Sequence, residues 1–121
     1  MGRLARVNFT DIIHNDTFPT KQFNFFAADG TTPLDLSDCT VRIQIRYKSK
    51  NGKLVRTAIS GDGITWTDQA NGQFELGGFI ADWQGAGEYW YDVQMTYATS
   101  GIIRTYVQGK ITVIDDVTSN T

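Results

Sequence analysis

Alternation of apolar and polar residues with a period of two is the feature that most restricts what this chain can fold into. In segment 40–47 the alternation is unbroken, with Val41, Ile43, Ile45 and Tyr47 set against Arg42, Gln44 and Arg46. Successive side chains of a β-strand point to opposite faces, so this segment predicts a strand with one buried and one solvated face. Similar segments predict further strands at 22–27, 54–59, 64–67, 73–76, 88–97, 103–108 and 110–114.

Turn-forming residues separate these segments. Gly pairs with Asp, Asn or Ser at 29–30, 51–52, 61–63, 71–72 and 100–101. Asn51-Gly52 predicts a two-residue type I′ hairpin, because both residues tolerate positive φ. Segment 79–84 is predicted to form one short helical turn. Short strands with turns between them predict an all-β fold, an immunoglobulin-like antiparallel β-sandwich of about seven to eight strands.

Size and charge limit the classes of function. The 121 residues predict a single domain over 1–121, with short polar arms at 1–6 and 115–121. Eleven basic and thirteen acidic residues give a net charge of −2, and the basic residues are spread along the chain. We therefore expect no nucleic-acid binding. No run of 18 apolar residues occurs, so we expect no membrane span.

Catalytic and metal-binding patterns are sparse. His14 is the single histidine and Cys39 the single cysteine, so neither a His-based triad nor a thiolate cluster is indicated. The unpaired Cys39 points to synthesis in a reducing compartment. One hydrolase alternative stays open, in which Glu75 and Asp92 face each other across strands as a carboxylate pair. The prediction is an absence of catalytic residues, cofactor and metal site.

The aromatic residues of segment 87–97 allow two interpretations. As a strand, the segment sends Tyr89, Tyr91 and Tyr97 to one face with two aliphatic residues, which is typical of a core face. Trp90 lies on the other face, where partial exposure at a protein interface is expected. The alternative is a carbohydrate-binding β-sandwich module with a glycan as partner. It requires at least two exposed and roughly coplanar rings among Trp66, Trp83 and Trp90.

Seven short motifs occur in a recognisable order. They are IHNDTF (13–18), DGTTPLDLS (29–37), VRIQI (41–45), NGQFEL (71–76), GEYWYDV (87–93), GKITV (109–113) and DVT (116–118). Together they resemble the immunoglobulin-like N-terminal domains of phage baseplate and tail-associated proteins, such as the baseplate upper proteins of siphophages. Two departures stand out. Asn15 replaces the glycine usual in that family, and the relatives continue into long helices or receptor-binding parts, whereas this sequence stops at Thr121.

The resemblance implies a virion structural protein of the tail, baseplate, neck or capsid surface, made in the cytoplasm of the bacterial host. Its implied partners are other virion proteins and copies of itself. A host-recognition role does not carry over, because the parts that would perform it lie beyond the resemblance. The residues expected at an interface are Trp90 and charged residues of the two arms, namely Arg3, Arg6, Asp115 and Asp116.

Overall fold

The computed structural model describes residues 5–14, 16–27, 29–49, 51–81 and 83–114. Within them the chain forms nine strands: β1 (Ala5–Arg6), β2 (Phe9–Ile13), β3 (Lys21–Asn24), β4 (Cys39–Tyr47), β5 (Leu54–Ser60), β6 (Gly63–Asp68), β7 (Gln73–Leu76), β8 (Gly87–Tyr97) and β9 (Ile103–Ile114). One 3-10 turn, Gln69–Asn71, lies between β6 and β7. The predicted all-β fold is confirmed.

The strands form one mixed sheet in the order β1-β9-β8-β4-β5-β6-β7-β3, and β2 pairs further along β9. The longest ladders, β4 with β8 and β8 with β9, are antiparallel as predicted. Three pairings are parallel, however: β1 and β2 with β9, and β5 with β6. The β5–β6 pair covers only Ile59 to Gly63 and Ser60 to Ile64, where the chain bends sharply.

The sheet curls into a half-barrel, so that its two ends face each other across one core. Phe9 of β2 bridges these ends, with ring centroids 6.1 Å from Phe23 on β3 and 5.5 Å from Tyr91 on β8. On the rim, Lys21 pairs with Asp11 at 2.6 Å. Side chains rather than backbone hydrogen bonds therefore close the gap between β2 and β3.

Two short N-terminal strands, β1 and β2, were absent from the prediction. Their segment alternates poorly, since of β2 only Ile12 is fully buried. Its position depends on a glycine of another strand. A Cβ atom on Gly109 would lie 1.7 Å from the Val7 carbonyl oxygen. Only glycine lets the two backbones approach so closely, and periodicity within segment 5–13 cannot show this.

The helical turn predicted at 79–84 is wrong. The described residues of this segment are not helical, and they alternate between buried Phe79, exposed Ile80, and buried Ala81 and Trp83. This period of two suits an extended chain, and it places the ring of Phe79 5.0 Å from that of Phe18. Burial of alternate side chains outweighs the local helical preference of the segment.

The hairpin between β4 and β5 is confirmed, but its predicted type I′ turn is wrong. The Tyr47 amide bonds to the Lys53 carbonyl at 2.8 Å, which leaves a five-residue loop rather than two residues. Lys48 has a positive φ of 71°, and Gly52 does not share that conformation. A Cβ atom on Gly52 would lie 1.8 Å from the Tyr47 carbonyl oxygen, so glycine is needed here because the two backbone segments lie close together.

Tyr89 fastens the entry of β8 to the preceding loop. Its buried hydroxyl donates to the Gly85 carbonyl at 2.7 Å and accepts from the Gln84 amide at 2.6 Å. This is the arrangement of a tyrosine corner, in which a core tyrosine bonds backbone a few residues upstream. The prediction that Tyr89 faces the core is confirmed.

Candidate interaction face

The strand β8 divides its side chains strictly between two faces. Tyr89, Tyr91, Val93 and Met95 are all buried, whereas the residues between them are half-buried on the opposite side. The tyrosine face is therefore core, as the alternation predicted. The opposite side, shared with β9 and β4, is the side of β8 that a partner can reach.

The strand register aligns polar side chains of β4, β8 and β9 in three rows on this side. We call these nine residues the outer face: Arg42–Gln94–Thr105, Gln44–Asp92–Gln108 and Arg46–Trp90–Lys110. The middle row continues onto β1, where Arg6 is paired with Gln108. Of the predicted interface residues, Arg6 and Trp90 are thus brought close to one face. Arg3, Asp115 and Asp116 lie outside the described residues.

Trp90 is held in place on the outer face by its neighbours. Its indole N–H donates to the Lys48 carbonyl at 3.2 Å, and the Lys110 ammonium lies 5.0 Å from its ring centroid. Lys110 also approaches Glu88 at 3.7 Å. Cation–π contact and the hydrogen bond fix the half-buried ring, so its exposed part is a rigid aromatic surface.

Asp92 lies at the centre of the outer face without a close partner. Its carboxylate makes neither a hydrogen bond nor an ion pair with the residues that the structure describes. The two guanidinium groups whose charges act on Asp92 form hydrogen bonds elsewhere: Arg42 donates to Gln94 at 2.9 Å, and Arg46 donates to the Gly52 carbonyl at 3.1 Å. Desolvation raises the pKa of Asp92, and the charges of Arg42 and Arg46 oppose this rise.

A depression of about 70 Å³ surrounds this carboxylate and is lined by Gln44, Arg46, Trp90, Tyr91, Asp92 and Gln108. The sequence placed Asp92 on the outward side of β8, but only the register of three strands shows its neighbours.

The tryptophans do not form the platform that the carbohydrate interpretation requires. Trp83 is 7% exposed and packs against Phe18 and Tyr89. Trp66 packs edge-on against Phe74 with centroids 5.6 Å apart. Of the three rings, Trp90 alone belongs to the outer face.

The residues considered for hydrolysis are not brought together. Glu75 pairs with Gln22 and Thr65 on β3 and β6, while Asp92 lies on β8 between Gln44 and Gln108. Among the described residues, His, Cys, Asp and Glu form no group of three that could hold a metal ion. The same residues contain no helix long and apolar enough to cross a membrane.

Comparison with known proteins leaves the family of this chain open. No protein-family model matches it, and no curated protein sequence does. Among solved structures, CopC from Methylosinus trichosporium OB3b aligns with 91% of this chain and 88% of its own length. The two are 16% identical, with a TM-score of 0.43. A likeness of this degree carries no argument about what the chain binds.

Proposed function

We propose that this chain is a structural subunit of a bacteriophage virion that acts by binding neighbouring protein subunits. The observation that carries the proposal is the outer face, where a fixed tryptophan, two arginines and an unpartnered carboxylate lie on one sheet. Tryptophan and arginine are enriched in protein interfaces and often dominate their binding energy. A carboxylate left half-buried without a partner gains most when a second protein supplies a donor.

The outer face supports protein binding in general, and the ordered motifs of segment 13–118 are the reason for proposing a virion protein in particular. Residues of two of these motifs make defined contacts in this fold. In GEYWYDV, Tyr89 forms the corner described above. In DGTTPLDLS, Leu36 is fully buried, and the Asp35 carboxylate accepts from the Ser37 amide at 2.9 Å. These contacts support the resemblance by giving its residues physical roles.

On this proposal the partners are other virion proteins and copies of the same chain, in a tail, baseplate, neck or capsid-surface position. The subunit is made in the cytoplasm of the host and functions in the particle. It acts without a cofactor, nucleic acid or membrane, and its activity is assembly rather than catalysis.

The test is to locate the chain in particles. Phage particles produced by the phage or prophage that encodes the chain are purified on a density gradient and analysed by quantitative mass spectrometry. We expect the chain to band with the particles at a fixed copy number relative to the major capsid protein. Recovery only in the soluble fraction of the lysate would overturn the proposal.

A further inference from the structure

We propose that the outer face joins two copies of this chain in a symmetric dimer, with Asp92 of one copy against Gln44 of the other. The inference rests on the proposed assembly function, since it names one contact through which copies associate. It starts from the distribution of charge across the sheet. Glu88 and Asp92 lie on β8, whereas Arg42 and Arg46 lie on the adjacent β4.

This distribution is complementary to itself under one kind of two-fold axis. If the axis runs parallel to the strands between β8 and β4, it places β4 of the second copy over β8 of the first. The register then sets Gln44 over Asp92 and Arg46 over Trp90. The carboxamide can donate to the unpartnered carboxylate, and the guanidinium can stack on the indole.

The other in-plane axis is unfavourable. An axis at right angles to the strands, centred on Asp92, would place that carboxylate against its own symmetry mate. Like charges brought together at a desolvated interface cost several kcal/mol in general. The arrangement of charge thus favours one dimer over its alternative, with the Asp92–Gln44 contact near the axis. Two packed sheets are rotated by about 30° relative to each other, so residues of the two copies are aligned best near the axis.

The lengths of the strands set an upper limit on the contact area. Strand β8 has eleven residues, and strands lie about 4.8 Å apart with about 3.4 Å per residue, so four strands cover roughly 650 Å² per copy. Because the outer side of the half-barrel is convex, two copies bury at most about 1,300 Å², at the lower end of the range of specific interfaces. Leu54, Ile59 and Ile103 lie toward the edges of the same side and are 39%, 47% and 61% exposed. They add apolar area to the contact.

The experiment measures self-association of the full chain by sedimentation velocity up to about 100 µM, above the micromolar affinities of weak interfaces of this size. We expect the wild type to dimerise with increasing concentration. Asp92→Arg should abolish the dimer, because the introduced guanidinium would be repelled by Arg42 and Arg46 of the second copy. Gln44→Glu should also abolish the dimer, because the introduced carboxylate would be repelled by Asp92 of the second copy. Asp16→Arg, with the same charge change at an exposed position between β2 and β3, should leave the dimer intact.

Mixing the two disruptive variants gives the decisive result. The guanidinium introduced at position 92 of one chain would face the carboxylate introduced at position 44 of the other, while the second contact of the dimer keeps its wild-type residues. We therefore expect equimolar Asp92→Arg and Gln44→Glu proteins to form a heterodimer, although each alone is monomeric. A folding defect cannot produce this recovery. Circular dichroism confirms that each variant is folded.

Three results would overturn the inference: a wild type that stays monomeric throughout, a dimer that Asp92→Arg leaves intact, or folded variants that fail to associate on mixing. These results are independent of particle incorporation. A monomeric chain found in purified particles would remove this interface and leave the virion role standing. A dimer through the outer face that never enters particles would support this interface and remove the virion role.

Discussion

The hydroxyl of Tyr91 donates a hydrogen bond of 2.7 Å to the carbonyl oxygen of Val7, 84 residues earlier in the chain. The same N-terminal segment is held by Asn8, whose side-chain oxygen accepts from the Lys110 amide at 2.9 Å. Beneath it, Gly109 leaves room for the Val7 backbone. A core tyrosine, a polar side chain and a glycine together fix β1 and β2 on β9.

Removing the Tyr91 hydroxyl tests the first of these contacts. Tyr91→Phe keeps the ring in the core but leaves the Val7 carbonyl without this donor. We expect the free energy of unfolding to fall by about 1 kcal/mol, which is typical of one intramolecular hydrogen bond. Urea denaturation measures it. Tyr47→Phe is the control, because the Tyr47 hydroxyl makes no hydrogen bond within the described residues. An equal effect of both variants would contradict the role of the bond.

Adding a methyl group at Gly109 tests the close approach. In Gly109→Ala the new Cβ would meet the Val7 carbonyl oxygen at 1.7 Å and the Tyr91 ring at 2.9 Å, so the N-terminal segment must move away. Overpacking of this kind costs about 1–3 kcal/mol. Hydrogen exchange should show lost protection in segment 5–13 before the rest of the sheet. Thr112→Ala, in the same strand, should change stability by less than about 0.5 kcal/mol. Unchanged protection of segment 5–13 would show that the segment does not depend on this glycine.

Adjacent aromatic residues of β8 should differ sharply in their effect on folding. Tyr91 is 3% exposed and stacks on Phe9, so Tyr91→Ala should cost about 3 kcal/mol or more, as large aromatic truncations do. Trp90→Ala should cost less, because its ring is only half-buried. Thermal unfolding of both variants measures the difference. A larger loss for Trp90→Ala would mean that the outer face contributes more to folding than to binding.

Most of the sheet could be predicted from the sequence, because the period of two in β4 and β8 records which side chains face the core. The segments outside this pattern could not. Strands β1 and β2 depend on Gly109, which lies in another strand. The described residues of 79–84 are not helical, because Phe79 and Trp83 pack on Phe18. For the candidate site, alternation placed Trp90 outward. Alternation could not show that Asp92 lacks a partner, because this depends on the groups to which Arg42 and Arg46 donate hydrogen bonds.

The pH dependence of stability tests the environment of Asp92. Desolvation raises its pKa above the ordinary value of 3.8, so the folded state holds a proton at a pH where the unfolded chain has lost it. Across that window the folded state binds more protons, and stability therefore falls as the pH rises. Above the window the ionised carboxylate costs stability. Below the unfolded value both states are protonated and the cost disappears.

Asp92→Asn removes this titration. At pH 7 and at protein concentrations low enough to keep the chain monomeric, we expect the variant to be more stable than wild type. The gain should be less than about 1 kcal/mol, because a half-buried site remains partly screened by solvent. The gain should shrink as the pH falls through the raised pKa of Asp92 toward 3.8, and it should be absent below that value. Urea unfolding at several pH values measures the difference, and Asp16→Asn reports the effect of removing one charge from an exposed position. A variant less stable than wild type at pH 7 would mean that Asp92 is paired within the monomer. Its carboxylate would then not be free for the Gln44 carboxamide of a second copy.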